Sequence, residues 1–484
     1  ENDQSFLTTQ PVQAGAAILG PTVKGPVGIP TIVTTYSDYQ NVFGAKVTSG
    51  SAEYTYLTSI SAYNYFQQGG DSLLVTRIVS GAYTEATSSA VTNSNTSSSF
   101  TLETLSEGVD QNSSSSLGTS GQLAAGTADN VRWEITAPNT ASGTFALLIR
   151  QGNDITNNKT VLETWPNLSL DPNSLNYIEK VIGNSKQTVA TDGTESYIQY
   201  SGEYNNASRY VRVKSVLTPT LNYVDNAGAA KPEFTGSIPV AGEGVFNGAT
   251  GTPFVGRVAN FYGDINTTDT QGLTGADYTT SVNLLKNQDL YQYNLIVAPG
   301  LTRDMTAGVT VLTSLVDNAQ TRGDNLAIID LKDYGANIIP VTTAADAVDS
   351  SYAAAYWPWL QTIDPDLGSR VWVPASTMMP GVFAFNDRAG ETWFAPAGLS
   401  RGGLTTVIRA ERALTNGNRN TLYESNVNPI ATFPNTGVVV FGQKTLQKRA
   451  SALDRVNVRR LLISLKNFIS QIADNLVFEQ NTIA

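Results

Sequence analysis

The chain has 484 residues, with 30 Lys plus Arg against 41 Asp plus Glu and neither Cys nor His. Its formal net charge is −11, and at ~150 residues per domain its length predicts roughly two to four domains. The missing imidazole and thiol exclude disulfides, His or Cys metal sites and every catalytic scheme built on either group, while the acidic balance weighs against broad nucleic-acid binding.

Charged residues make up only 15% of the chain, so it reads as folded and loop-rich rather than disordered. No apolar run approaches the ~18 to 20 residues of a membrane span. Along the chain, the apolar run from Ala14 to Leu19 and the β-branched run from Thr31 to Thr35 flank a Pro/Gly-punctuated loop, which predicts strand, loop, strand. Ser37 precedes a short helix that stops at Gly44. A longer helix is expected over about 52–68, with Tyr56, Ile60 and Tyr63 on one face and Gly69-Gly70 ending it. Leu73 to Val79 reads as a buried strand.

The composition then shifts: no Lys or Arg occurs between Arg77 and Arg132, and four serines stand at 113–116. To about residue 280 the text is short β-type runs, Val131 to Thr136, Phe145 to Arg150, Tyr197 to Tyr200 and Arg209 to Val213, split by turn residues. The expectation is one or two inserted β-rich domains with a break near residue 200. From 281 the apolar run Asn294 to Ala298, a helical stripe (Val309, Leu312, Leu315, Val316, Ala319) and the run Asn325 to Leu331 predict a βαβ-like unit. The chain closes with a strand at Gly437 to Gly442 and a long amphipathic helix whose apolar side is Val458, Leu461, Leu462, Leu465, Phe468, Ile469 and Ile472.

The fold class read from these elements is a multidomain α+β protein. Its core is a discontinuous α/β domain formed by residues 1–80 and 281–484, with β-rich insertions at 81–200 and 201–280.

Several motifs reduce to local structure. Gly437 to Thr445 nearly spells a phosphate loop, but Gln443 separates Gly442 from Lys444 and the intervening residues are strand formers. Arg322-Gly323-Asp324 stands between a helix and a strand, where Gly323 is a C-cap and Asp324 a turn residue. Sequons at Asn95, Asn112, Asn158, Asn167, Asn206 and Asn266 follow from composition. The carboxylate pairs Asp364 with Asp366 and Asp387 with Glu391 are spaced as turn residues are. No cofactor or catalytic residue is expected, and the chain reads as not an enzyme.

One electrostatic anomaly stands out. Residues 443–466 hold seven basic residues, Lys444, Lys448, Arg449, Arg455, Arg459, Arg460 and Lys466, against the single acid Asp454. The sequence leaves two readings: a solvated basic face, or a docking surface for an acidic partner, with the helix turning its apolar side inward.

Three blocks then carry a resemblance. Ala16-Ala17-Ile18-Leu19-Gly20-Pro21 with Lys24-Gly25-Pro26 and Tyr36-Ser37-Asp38-Tyr39 to Phe43-Gly44 open the first. The second runs from Glu163 to Pro172 and on through Tyr177 to Ser185. The third combines Ala395-Pro396-Ala397-Gly398, Leu422 to Ile430, Gly442 to Thr445 and Asp454 to Leu461. In order and spacing these resemble contractile phage tail sheath proteins over nearly the whole chain. Members continue past the segment at 477–481 into a C-terminal arm that this chain, ending at Ala484, is expected to lack, and its N-terminal arm is short.

The resemblance implies a structural subunit that stacks as six-fold rings around a tail tube and contracts to drive the tube through a host envelope. Its implied partners are copies of itself, the tail tube protein, and the baseplate and tail terminator proteins, with no direct nucleic-acid contact and no membrane span. It implies a place in the virion tail after assembly in the host cytoplasm, with the seven basic residues facing the tube or a neighbouring subunit. The competing class is an extracellular surface-layer or adhesin-type protein, which would show a secretion signal or periodic β-domains. A secreted carbohydrate-active enzyme would need carboxylates paired across a cleft.

Overall fold

The computed structural model describes residues 13–49, 52–253, 263 and 265–474. The terminal arms at issue in the resemblance lie outside these residues. The chain is a mixed α/β protein with several sheets.

Its largest sheet has eight strands: β1 (Ala16–Gly20), β2 (Thr31–Val33), β3 (Leu73–Arg77), β4 (Leu295–Thr302), β5 (Leu326–Asp330), β6 (Ala353–Trp357), β7 (Asn428–Phe433) and β8 (Gly437–Val440). The order across it is β8-β7-β6-β5-β4-β1-β3-β2. The run from β7 to β3 is parallel and the edge strands β8 and β2 are antiparallel. A parallel sheet must be covered on both faces, and the sequence meets this with continuous apolar strands. Alternate residues feed opposite cores: Ala16, Ile18, Leu295 and Val297 go to one, and Ala17, Leu19, Ile296 and Ala298 to the other.

The core helices are α1 (Tyr36–Phe43), α2 (Leu57–Gln67), α3 (Gly308–Arg322), α4 (Ile338–Asp346), α5 (Ala375–Ala389), α6 (Asn416–Glu424) and α7 (Val456–Asp474). Helices α2 and α5 cover the first face through Leu57, Ile60, Met378, Met379, Val382 and Phe383. Helix α3 covers the second with Val311, Leu312, Leu315, Val316 and Ala319, so Val311 takes the place expected of Val309, which stays exposed. Gly323 ends α3 in the left-handed region at φ 71°, as a C-cap requires, and Arg322 forks onto Asp324.

Two local expectations are corrected. Thr35, not Ser37, caps α1, its hydroxyl accepting from the Asp38 amide at 3.0 Å. The helix expected over 52–68 begins only at Leu57, because Ala52–Tyr54 pairs antiparallel with Val47–Ser49 instead. Tyr54 and Tyr56, whose rings sit edge to face at 5.4 Å, are buried there, so hairpin packing overrides the helical pattern.

Between β3 and β4 the strands belong to other sheets. One has the order Val161–Ser169, Thr144–Gln151, Val131–Asn139, Gly242–Gly244. Another joins Val211–Val216, Ser98–Glu107, Glu85–Ser88 and Phe246–Asn247, with Val91–Thr92 on Ser98–Glu107. Both enclose a single apolar core from Ala86 to Ala249. The division expected near residue 200 is therefore not how the strands pair: Val211 to Val216 sits beside Phe100 to Thr104, and Gly242 to Gly244 beside Trp133 to Ile135. The strands at 211–216 and 242–247 complete sheets begun before residue 200, whereas Leu273 and Tyr278 pack in a core of the eight-stranded sheet.

This region is tied to the core sheet. Arg77, at the end of β3 and 1% exposed, donates to the carbonyls of Gly25 at 2.7 Å and Glu107 at 2.8 Å. The Gly25 amide donates to Ser106 Oγ at 2.7 Å, and Lys24 pairs with Asp129 at 3.2 Å.

Candidate interaction surface

The basic segment runs from the end of β8 through a turn into α7. Asn428 on β7 anchors its start, donating to the Lys444 carbonyl and accepting from the Lys444 amide at 2.6 Å. Tyr423 on α6 then gathers two cations. Lys444 Nζ donates to its carbonyl at 2.8 Å and lies 4.6 Å from its ring, while Arg455 donates to its hydroxyl at 2.5 Å. Burial, then the nearby Arg455 charge, lowers the Lys444 pKa.

Four of the others are also committed within the chain. Lys448 pairs with Asp346 at 2.7 Å at the surface. Arg459 stacks over Tyr352 at 4.0 Å and donates to Ser351, and its pKa is lowered by burial. Arg460 forks onto both oxygens of Asp387, at 2.8 and 2.5 Å, and lies over Phe383. Lys466 Nζ donates to the Arg322 carbonyl at 2.7 Å, a cation at the C-terminal end of α3. Arg449 is exposed, and its side chain makes no ion pair among the described residues.

This placement overturns the expected orientation of α7. Arg459 and Arg460 are 7% and 4% exposed and share the inward face with Val456 and Ile463. The apolar residues Leu462, Leu465, Phe468, Ile469 and Ile472, expected inside, are 41–62% exposed. The physical reason is that two arginines find satisfied sites at the core, over Tyr352 and onto Asp387 with Phe383, which fixes the rotation of the helix. The spacing Val456, Arg459, Arg460, Ile463 is itself a helical face, and it was the available signal. Tyr352 and Asp387 come from distant segments and were not legible beside it.

The carboxylate pairs prove structural. Asp364 accepts from the amides of Asp366 and Leu367, closing a turn, and Asp366 receives Tyr36 and Gln40 at 2.8 Å each. Asp387 is the partner of Arg460. Gly437 to Val440 is edge strand β8, so its amides serve a sheet and not an anion. Among the described residues no group of acidic side chains could hold a metal ion, and no helix is long and apolar enough to cross a membrane.

Residues 271–446 match the model of the phage tail sheath protein central domain. That stretch is similar to the central domain of phage tail sheath proteins. It is 30% identical over 194 residues to the tail sheath protein of Vibrio phage KVP40, covering 39% of this chain and 28% of that one. To the tail sheath protein of Enterobacteria phage T4 it is 26% identical over 227 residues, covering 43% of this chain and 34% of the relative. The matches thus span about a third or less of the length of these curated relatives. The fold extends further: the sheath tail protein of Listeria innocua superposes with a TM-score of 0.52 at 10% identity, over 94% of this chain and 75% of that one. The relatives are structural tail proteins, in keeping with a chain that is not an enzyme.

The matched stretch starts in the segment before β4 and ends at Leu446, just after β8, so it contains β4 to β8 and stops before most of the basic residues and all of α7.

Proposed function

We propose that this chain is the structural subunit of a contractile tail sheath, polymerising as stacked six-fold rings around a tail tube and contracting to drive the tube through a host envelope. The observation that carries this reading is the sheath central domain at 271–446, set within a fold that follows a sheath protein over 94% of the chain. A helical stack needs head-to-tail contacts between identical copies, and a small energy difference per subunit between two packings sums over many copies to mechanical work. The partners on this reading are further copies, the tube protein, and the baseplate and terminator proteins at the two ends, with assembly in the host cytoplasm before incorporation into the virion tail. No cofactor enters.

In this proposal the core is a discontinuous domain and the region from 81 to about 252 projects outward from it. What supports this is that the two ends of the region lie together: Tyr83 donates to the Thr252 carbonyl at 2.7 Å and the Thr84 amide to the Thr250 carbonyl at 3.1 Å. Insertions are best accommodated where the chain leaves and re-enters at one place. The exposed face of α7, with Lys466 beside it, is the surface proposed for the tube. Arg459 and Arg460 act in the proposal by holding that helix in place, not by contacting the tube.

Negative-stain microscopy of the purified protein across a concentration series tests the reading. Tubes or six-fold rings are the expected result; a monodisperse monomer at every concentration, alone and with tube protein, would contradict it.

A further inference from the structure

Beside the N-terminal end of α3 an open groove of about 480 Å³ runs between α3 and α4. Its walls are apolar: Val309 is 42% exposed and Ile339 74%, with Pro340, Ala344 and Ala347 alongside. Arg303, which follows β4, stands at the rim, half-buried. Its neighbour Lys332 is satisfied by Asp304, but Arg303 makes no ion pair among the described residues, and burial with no opposing charge lowers its pKa. An unpaired, partly desolvated guanidinium beside exposed aliphatic side chains calls for an apolar group flanked by a carboxylate.

The opposite end of α3 presents that pair. The Asn287 side chain accepts from the amides of Asp289 and Leu290, holding a turn that leaves Leu290 54% exposed next to an exposed Asp289. Asp289 makes no ion pair among the described residues. Arg322, the last residue of α3, locks this turn to the helix by donating to the carbonyls of Leu285 and Tyr291 at 2.7 and 2.6 Å. Knob and groove are thus carried on one rigid helix of 15 residues, roughly 20 Å apart at ~1.5 Å per residue.

We infer that the groove between α3 and α4 receives the Asp289-Leu290 turn of a second copy of this chain, Leu290 entering beside Ile339 and Val309 while Asp289 meets Arg303. A knob and a groove at different places on one molecule make a heterologous contact, which propagates into an open assembly instead of closing as a dimer. The inference rests on the proposed polymer and names one of its contacts.

Because the chain has no native cysteine, thiol pairing tests the contact cleanly. Single variants Leu290→Cys and Ile339→Cys, both at exposed positions, are mixed with wild-type chain, assembled and mildly oxidised. The expected product is a disulfide-linked pair containing one of each variant, formed in the assembled fraction and absent from dilute monomer. Charge reversal is the companion experiment. Arg303→Glu or Asp289→Arg should each raise the concentration needed for assembly about tenfold or more, and the two reversals combined in one chain should restore it. Tubes that form without the mixed disulfide, or with the Ile339→Cys thiol protected yet unpaired with Leu290→Cys, would overturn this contact and leave the sheath reading standing. Wild-type chain that never assembles would overturn both.

Discussion

The core sheet and the β-rich region between β3 and β4 hold themselves together in different ways. The core sheet is covered on both faces by aliphatic and aromatic side chains from α2, α3, α4 and α5. The β-rich region has one apolar core and adds a buried ion network. Arg150, fully buried, bonds Asp154 at 2.7 and 2.8 Å, Glu134 at 2.9 Å and Glu243 at 2.6 Å, and Arg132 reaches the same Asp154 at 3.2 Å. Dispersion and burial in the core fall away gradually as volume is removed, whereas a buried network fails when one member leaves. The two regions should therefore differ most in what a single substitution does to them, a cavity in the core sheet and a lost ion-pair member in the β-rich region.

The sharpest way to break the contrast is Arg150→Met. It leaves the buried Asp154 with Arg132 and the Thr160 amide alone and should cost the β-rich region about 3–5 kcal/mol, because an undercompensated buried charge is the penalty. Urea unfolding followed through Trp133 and Trp165 would show it, and a loss under ~1 kcal/mol would place the stability of this region in its apolar core alone. In the core sheet Leu326→Ala, at a fully buried position on β5, is expected to cost about 2–5 kcal/mol through the cavity it leaves. A loss under ~1 kcal/mol there would erase the distinction.

A smaller effect is expected at the junction. Burial, then the like charge of Glu85, pushes the Glu107 pKa to about 7, and burial pushes Asp110 to about 6. Unfolded carboxyls release their protons near ~4, so between about pH 4 and 7 the folded chain holds more protons than the unfolded one. Their contribution is complete at the acid end of that range and is lost as pH rises through 6 to 7. Glu107→Gln should flatten this fall, as thermal melts across pH 4.5 to 7.5 would record, and an unchanged slope would remove Glu107 from the account.

The smallest effect is expected from removing residues 81–252 as a unit and joining the ends. The unfolding midpoint of the remaining core should change little, since the crossing contacts lie outside the sheet interior: those of Lys24, Gly25 and Arg77, the exposed Arg209–Asp38 pair at 3.6 Å, and the packing of Glu195–Ser201 on the helix Thr279–Leu284. Excising only 85–150 would instead strand Val211–Val216, whose partner is Ser98–Glu107, and should give insoluble protein.

What was legible in the sequence follows the same divide. The apolar runs of β1, β3, β4 and β5 and the stripe on α3 announce themselves because a two-faced parallel sheet demands continuous hydrophobicity. The start of α2 was not legible, since Ala52 to Tyr54 carries a helical pattern and a hairpin partner decides otherwise. The unity of the β-rich region was hidden because its closing strands lie some hundred residues from their partners. The seven basic residues were visible as a cluster, but their roles were set by partners from elsewhere: Tyr423, Tyr352, Asp387 and the end of α3.

In the proposed polymer the core stacks around a tube with the β-rich region outside. Cryo-electron microscopy of tubes assembled from this chain with tube protein measures that directly. The expected result is six subunits per ring, α7 at the inner radius with Leu465, Phe468 and Ile469 against the tube, and residues 85–249 at the outermost radius. Tubes with the β-rich region lining the bore, or with α7 on the outside, would contradict it.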